Sequence, residues 1–319
     1  MKFLISCVNS TVSLIGYDMA IKAPFWYCPA NIVRACGIAV HDNALWIATD
    51  GLVTRITAEN AGSFALPGPH DNLAHSIHPL GNGLMGVADT GNSRVLLLAG
   101  ERASLSMSPL EGWGAGIPED AIHLNDFIPC EEGLIASAFS YQPFADWRHS
   151  NLPWKSSGWG VLFEMRRHQG KTISRIVATG LDCPHSLVRH DGDLYCCSSS
   201  RGDFCHLRAD SNGIFTIADR TKVTDSHFLR GAVRLDDGWL LGGSSRRRQE
   251  NGVGMCLYHL ADNGHVEFLP LAGPGEVYDI LPWPDDIMPG IADRLDQLPV
   301  LEELEGVFPE RCSLPAEYR

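Results

Sequence analysis

A short strand, a turn and a second strand recur along this chain in one phase, and no other feature restricts its fold as tightly. Five copies read "ACGIAVHDNALWIATD", "AHSIHPLGNGLMGVADT", "LNDFIPCEEGLIASAFS", "PHSLVRHDGDLYCCSSS" and "LRGAVRLDDGWLLGGSS". In each, an apolar marker (Ile38, Ile77, Phe127, Leu187, Ala232) stands seven places ahead of the first residue after the turn (Leu45, Leu84, Leu134, Leu194, Trp239). The runs are short, apolar and bounded by Gly, Asp or Asn, a pattern of strands and not of amphipathic helices. The one helical stretch is "IADRLDQLPVLEELEG", giving a short helix at about 290–305 that Pro299 interrupts. A sixth first strand, "GEVYDILPW", lacks an evident partner after it, while "KFLISCVNSTVSLIGYDM" reads like the second and third strands of a unit. Four-stranded units that cannot bury their faces alone must stack round an axis, as in a β-propeller. The expectation is an all-β, six-bladed β-propeller over residues 1–319, a single domain whose last blade is closed by the N-terminal strands, which removes its free edges.

Composition narrows what such a ring can meet. With 38 acidic against 25 basic side chains, the net charge of −13 repels nucleic acid and anionic membranes, so neither is expected as a partner. Asn9, Ser10 and Thr11 break the opening apolar run before it reaches signal-peptide length, and no window approaches 18 apolar residues. Several of the ten cysteines lie inside strand-like runs, so reduced, buried thiols and a cytoplasmic location are expected. There is no CxxC pair, P-loop, GxGxxG after a strand, HExxH or GxSxG. The oligomeric state is not legible.

"VADTGNSRVLLL" at 87–98 is similar to an NHL repeat. The set "FLISCVN", "HLNDF", "CPHSLVRHDGDLYCCSSS", "FLRGAV" and "GEVYDILPWP" resembles, over nearly the whole chain, a bacterial family of six-bladed propellers grouped as domain of unknown function 4915. The resemblance implies the fold and supplies no reaction.

In a propeller the first strand of each blade lines the channel, so equivalent positions form rings. Two residues before the marker stand Cys36, His75, Asn125, His185 and Arg230, with Tyr278 in the last unit. Strand alternation puts Arg34, Leu73, His123, Cys183, Phe228 and Glu276 in a second ring, nearer the mouth. A lone histidine is usually a satisfied core residue, and a wet channel can satisfy polar groups without any reaction. Three histidines, two arginines and a glutamate round one axis point beyond that, to a ligand site. Tyr141, Phe144, Trp147, Trp154 and Trp159 make the insertion at about 140–158 aromatic, so it either roofs the channel, with Trp147 and Trp154 against substrate, or packs on a neighbouring blade. Arg246, Arg247 and Arg248 with Arg34 and Arg230 favour an anionic ligand.

Two chemistries fit. His75, His123, His185 and Glu276 could hold one divalent metal (Zn, Mn or Fe), against which Arg230 is a repelling cation. Without a metal, His75 and His185 serve as base and acid, His123 and Tyr278 assist, and Asn125, Arg34 and Arg230 bind substrate. Either suits a lyase, isomerase or hydrolase acting on a small anionic metabolite or sugar derivative. A non-catalytic propeller holding a peptide, glycan or protein partner is the alternative. Cys36 and Cys183 face the channel but read as buried thiols.

Overall fold

Each copy of the repeat folds as an antiparallel hairpin, and three of the turns show why these residues stand there. Asp42 and Asn43 (φ 49° and 53°), Asn82 and Gly83 (52° and 71°), and Asp191 and Gly192 (50° and 87°) are left-handed pairs. Two successive positive φ values make the turn whose twist matches a tight hairpin, and Asn, Asp and Gly tolerate them best. The computed structural model describes residues 1–10, 12–29, 34–69, 73–112, 117–141, 158–245, 254–271, 273 and 275–295.

Among them lie six four-stranded sheets. Blade 1 is β4 (Ile38–His41), β5 (Ala44–Ala48), β6 (Leu52–Ile56) and β7 (Ala61–Ala65). Blade 2 is β8 (Ala74–Gly81), β9 (Leu84–Asp89), β10 (Arg94–Ala99) and β11 (Arg102–Met107). Blade 3 is β12 (Leu124–Cys130), β13 (Gly133–Ala138), β14 (Gly160–His168) and β15 (Lys171–Leu181). Blade 4 is β16 (Pro184–His190), β17 (Asp193–Ser198), β18 (Asp203–Ala209) and β19 (Phe215–Lys222). Blade 5 is β20 (His227–Leu235), β21 (Gly238–Ser245), β22 (Cys256–Ala261) and β23 (Val266–Pro270). Blade 6 places β24 (Glu276–Pro282) beside β1 (Lys2–Val8), β2 (Val12–Asp18) and β3 (Ala23–Pro29), so the N-terminal strands do close the last blade.

The inner strands β4, β8, β12, β16, β20 and β24 touch in that cyclic order, closing the ring. The repeat's phase becomes a pairing rule: the residue two after the marker faces the first residue after the turn in Val40↔Leu45, Pro129↔Leu134, Arg189↔Leu194 and Arg234↔Trp239. Blade 2 departs from it, because a shift between Pro79 and Gly81 pairs Leu84 with Gly81 instead.

The apolar core lies between blades and not on the axis. Six clusters fill the six interfaces, for example Leu240, Leu257, Val277 and Ile5 between blades 5 and 6, and Leu4, Leu14, Ile38 and Ile47 between blades 6 and 1. Each such side chain contributes roughly 1.5–3 kcal/mol by leaving water. Packing is close: a Cβ on Gly86 would sit 2.6 Å from the Phe127 ring of the next blade. Helix α1 (Met288–Leu295) drops Met288, Ile291 and Leu295 into the cluster between blades 6 and 1, and the rest of the expected helix lies outside the described residues. The nine described cysteines are free thiols, all buried except the partly exposed Cys130. No described helix is long and apolar enough to cross a membrane.

All six inner strands bulge at one level. Pairing skips between Ala74 and Ile77, Leu124 and Asp126, His185 and Val188, and Arg230 and Ala232, and it passes over Tyr278 in β24. In blade 1, Cys36 and Gly37 both hydrogen-bond Ala48. A bulge breaks the two-residue alternation and re-aims side chains. Here it turns residues of consecutive positions toward the channel.

Candidate functional site

The side chains of the two expected rings do converge. Going round the axis, Tyr278 meets His75 (ring centroids 5.4 Å apart), His75 meets His123 (5.0 Å), His123 meets Phe139 (4.2 Å), Phe139 meets His185 (5.2 Å) and His185 meets Phe228 (5.3 Å). The Arg230 guanidinium closes the circuit, 4.9 Å from the Phe228 ring and 4.7 Å from that of Tyr278. Phe139 was not foreseen, because it follows the second strand of its blade and lies outside the first-strand columns. Its backbone N–H, bonded to the Ile122 carbonyl, folds it back over the mouth.

Backbone carbonyls fix the tautomers of two imidazoles. His185 Nδ1 lies 2.9 Å from both the Cys183 carbonyl and the Ser199 hydroxyl, and His75 Nδ1 lies 3.1 Å from the Leu73 carbonyl. A carbonyl only accepts, so each Nδ1 carries the proton and each Nε2 presents a lone pair. Burial, reinforced by Arg230 and the neighbouring histidines, holds both rings well below the usual histidine range, so they are neutral at neutral pH. His123 Nδ1 instead donates to Asp120, 2.9 Å away. Burial keeps the Tyr278 phenol well above its ordinary range and pushes the Cys36 thiol up to about 12, which removes Cys36 as a nucleophile.

Many polar atoms here are buried without a hydrogen-bond partner among the described residues: Asn125 Oδ1, His185 Nε2, Arg230 Nε, Tyr278 Oη, Arg34 Nε and Ser76 Oγ. His185 is only 3% exposed and Asn125 2%. Leaving such a group unpaired costs about 1–3 kcal/mol, so a concentration of them on one axis marks a place built to meet something polar. Backbone strain falls in the same place. Arg34, His123 and Cys183, which share one repeat position, all have φ between 50° and 54°, and Ser186 has φ 57°. Non-glycine residues in this region cluster at functional sites.

Below the ring lies a cavity of about 170 Å³, walled from above by Asn125, His185 and Tyr278 and lower down by Ser76, His78, Asp126, Ser186 and Asp279. Strict alternation would turn Ser76, Asp126, Ser186 and Asp279 away from the axis, and the bulge brings them to it. They also staple neighbouring blades. Asp126 Oδ2 accepts from the Leu187 N–H (2.6 Å), Ser186 Oγ from Gly231 (2.7 Å) and Asp279 Oδ2 from Ile38 (3.1 Å). Asp126 also takes His78 Nε2 at 2.7 Å. Burial works against the Asp126 carboxylate, but His78 and the donated hydrogen bonds hold it below its usual range, and His78 is correspondingly raised. Burial pushes Asp279 up to about 6.

Two expectations change. No group of three or more His, Cys, Asp or Glu side chains is placed to hold one metal ion among the described residues. The reason is visible: Phe139 stands between His123 and His185, and Glu276 is taken by Arg230 Nη1 (2.6 Å) and Asn9 Nδ2 (2.8 Å). The set His75, His123, His185 and Glu276 therefore does not fit a resident metal. The arginines are also compensated, Arg230 by Glu276 and Arg34 by Asp50, so the anionic ligand has less to rest on. Trp147, Trp154 and Arg246 to Arg248 lie outside the described residues.

No protein-family model matches the sequence, and no curated protein matches it either. The resemblance to domain of unknown function 4915 thus rests on the motifs alone. Solved structures are similar in fold. A protein of unknown function from Bacteroides caccae is 14% identical, with a TM-score of 0.58 over 89% of this chain and 98% of its own. A protein provisionally named a gluconolactonase is 14% identical, with a TM-score of 0.53 over 77% and 80%. A catalytically inactive virginiamycin B lyase variant from Staphylococcus aureus, crystallised with quinupristin, is 11% identical, with a TM-score of 0.51 over 84% of each chain. At these identities the likeness establishes the six-bladed propeller fold.

Proposed function

We propose that the axial pocket is an active site for metal-independent acid/base chemistry on a small polar molecule, of the lyase, isomerase or lactone-hydrolase class. The observation that carries this reading is the neutral His185, whose Nδ1 proton is pinned to a carbonyl while its Nε2 lone pair stays buried and unpartnered on the axis. A base so held takes a proton from substrate or water without reorienting. The imidazolium that His185 thereby becomes gives the same proton back to the product, and His123, fixed by its Nδ1 bond to Asp120 on the far side of Phe139, orients the substrate. Arg230 Nε and Tyr278 Oη donate to the oxygen that gains negative charge, and Asn125 positions the substrate. His75 stands behind Tyr278 and His123 as a second neutral acceptor. That similar propellers carry names of a lyase and a lactonase is an analogy of fold and adds weight only in that sense.

The test is a panel of small hydroxy acids, lactones and amino compounds incubated with the protein in D2O and followed by mass spectrometry. A turnover or exchange activity that drops about 10²- to 10⁴-fold in His185→Ala supports the reading. Activity that survives His185→Ala, or ligand density confined to the propeller rim in soaked crystals, overturns it in favour of a binding platform.

A further inference from the structure

We propose that the chamber below the histidine ring holds a small ammonium group, the protonated amine of the molecule that the pocket acts on. The inference rests on the axial site proposed above and names its substrate class.

The open valences of the chamber wall are acceptors. Asn125 donates its Nδ2 to the Pro184 carbonyl, 2.9 Å away, which leaves Oδ1 as its free atom. His185 Nε2, the lone pair of the proposed base, borders the chamber and is left to the reacting part of the molecule. Ser76 Oγ and Tyr278 Oη can each accept. The charge has the matching sign: two carboxylates, Asp126 and Asp279, face one imidazole, His78, and His78 is engaged by Asp126. Asp279 is held only by the N–H groups of Ile38 and Ile280, so its charge has no cation in contact.

An ammonium group carries a positive charge and three donors and no acceptor, the complement of this wall. An anion would meet two carboxylates and leave the acceptors unpaired. A divalent metal would want three convergent side-chain ligands, which the described residues lack. The cavity of about 170 Å³ equals roughly six waters at about 30 Å³ each, enough for an aminoalkyl end whose remainder passes up through the ring.

The experiment compares methylammonium chloride with potassium chloride, sodium acetate and erythritol at equal concentration, by thermal melting and crystal soaking. Methylammonium alone should raise the melting temperature and give density within hydrogen-bond distance of Asn125 Oδ1 and Ser76 Oγ. Asp279→Asn should weaken its apparent Kd by about tenfold or more, and Ser76→Ala, which removes a hydroxyl that also bears on Asp126, by roughly two- to fivefold. Circular dichroism checks that both variants are folded. Acetate or erythritol in the chamber without methylammonium overturns the ammonium assignment and leaves the axial site standing. Potassium stabilising as much as methylammonium overturns it too, since the wall would then select charge and not N–H donors. No probe anywhere on the axis overturns both readings.

Discussion

Blades 3 and 6 put an aspartate at the same step of the repeat, and the two carboxylates behave in opposite ways. Asp126 and Asp279 both follow a ring residue, both sit at the bulge, and both accept a backbone N–H from the next blade. Asp126 has His78 hydrogen-bonded against it and is held below the usual carboxylate range, whereas Asp279 has only N–H donors in contact, feels His78 from farther off, and is pushed by burial up to about 6. Hydrogen bonds from the backbone are therefore enough to place a buried carboxylate but not to stabilise its charge; the imidazole does that.

The contrast has opposite signs in pH. Asp126, depressed in the fold, contributes stability above the unfolded value near 4 and loses it as pH falls through its folded pKa. Asp279 is raised above its unfolded value, so its ionisation costs stability, roughly 3 kcal/mol by neutrality, lost as pH climbs from about 4 to about 6.

The strongest way to break the comparison is Asp126→Ala, which leaves His78 and two N–H groups unpaired. It should cost about 3–5 kcal/mol in urea unfolding at pH 7, and a loss under about 1 kcal/mol would mean the pair is solvated after all. Ser186→Ala probes the uncharged staple of the same tier and should cost about 1–3 kcal/mol through the abandoned Gly231 N–H. Asp279→Asn sharpens the contrast by sign. The amide oxygen retains one of two N–H bonds, so the variant should be less stable than the parent by about 1 kcal/mol at pH 3.5 and more stable by about 2 kcal/mol at pH 7.5. One sign at both pH values would erase the distinction between the blades. The smallest effect belongs to Lys22→Ala, which breaks an exposed ion pair with Glu267 and should shift stability by less than about 0.5 kcal/mol.

The fold was legible because the marker residues keep one phase, and that phase is the pairing register itself in four blades. The same phase brought His75, His123, His185, Arg230 and Tyr278 to one axis. What escaped had physical causes. Asp126 and Asp279 reach the channel through a bulge, which a period of two cannot anticipate. Their column, Gly37, Ser76, Asp126, Ser186, Gly231 and Asp279, holds no large side chain, and that was the available signal. Phe139 comes from after a second strand. Asp50 and Asn9, which compensate Arg34 and engage Glu276, likewise follow the second strands of their blades, outside the first-strand columns. The metal expectation came from counting ligand types on one axis, where an intervening Phe ring and an arginine decide the geometry instead.

The pairing of β24 with β1 has a temporal side. Glu276, Tyr278 and Asp279 belong to the strand made after all the others of the ring, so five complete blades can be synthesised with the axis still lacking its phenol and two of its carboxylates. The proposed site is therefore completed only together with the seam that locks the circle.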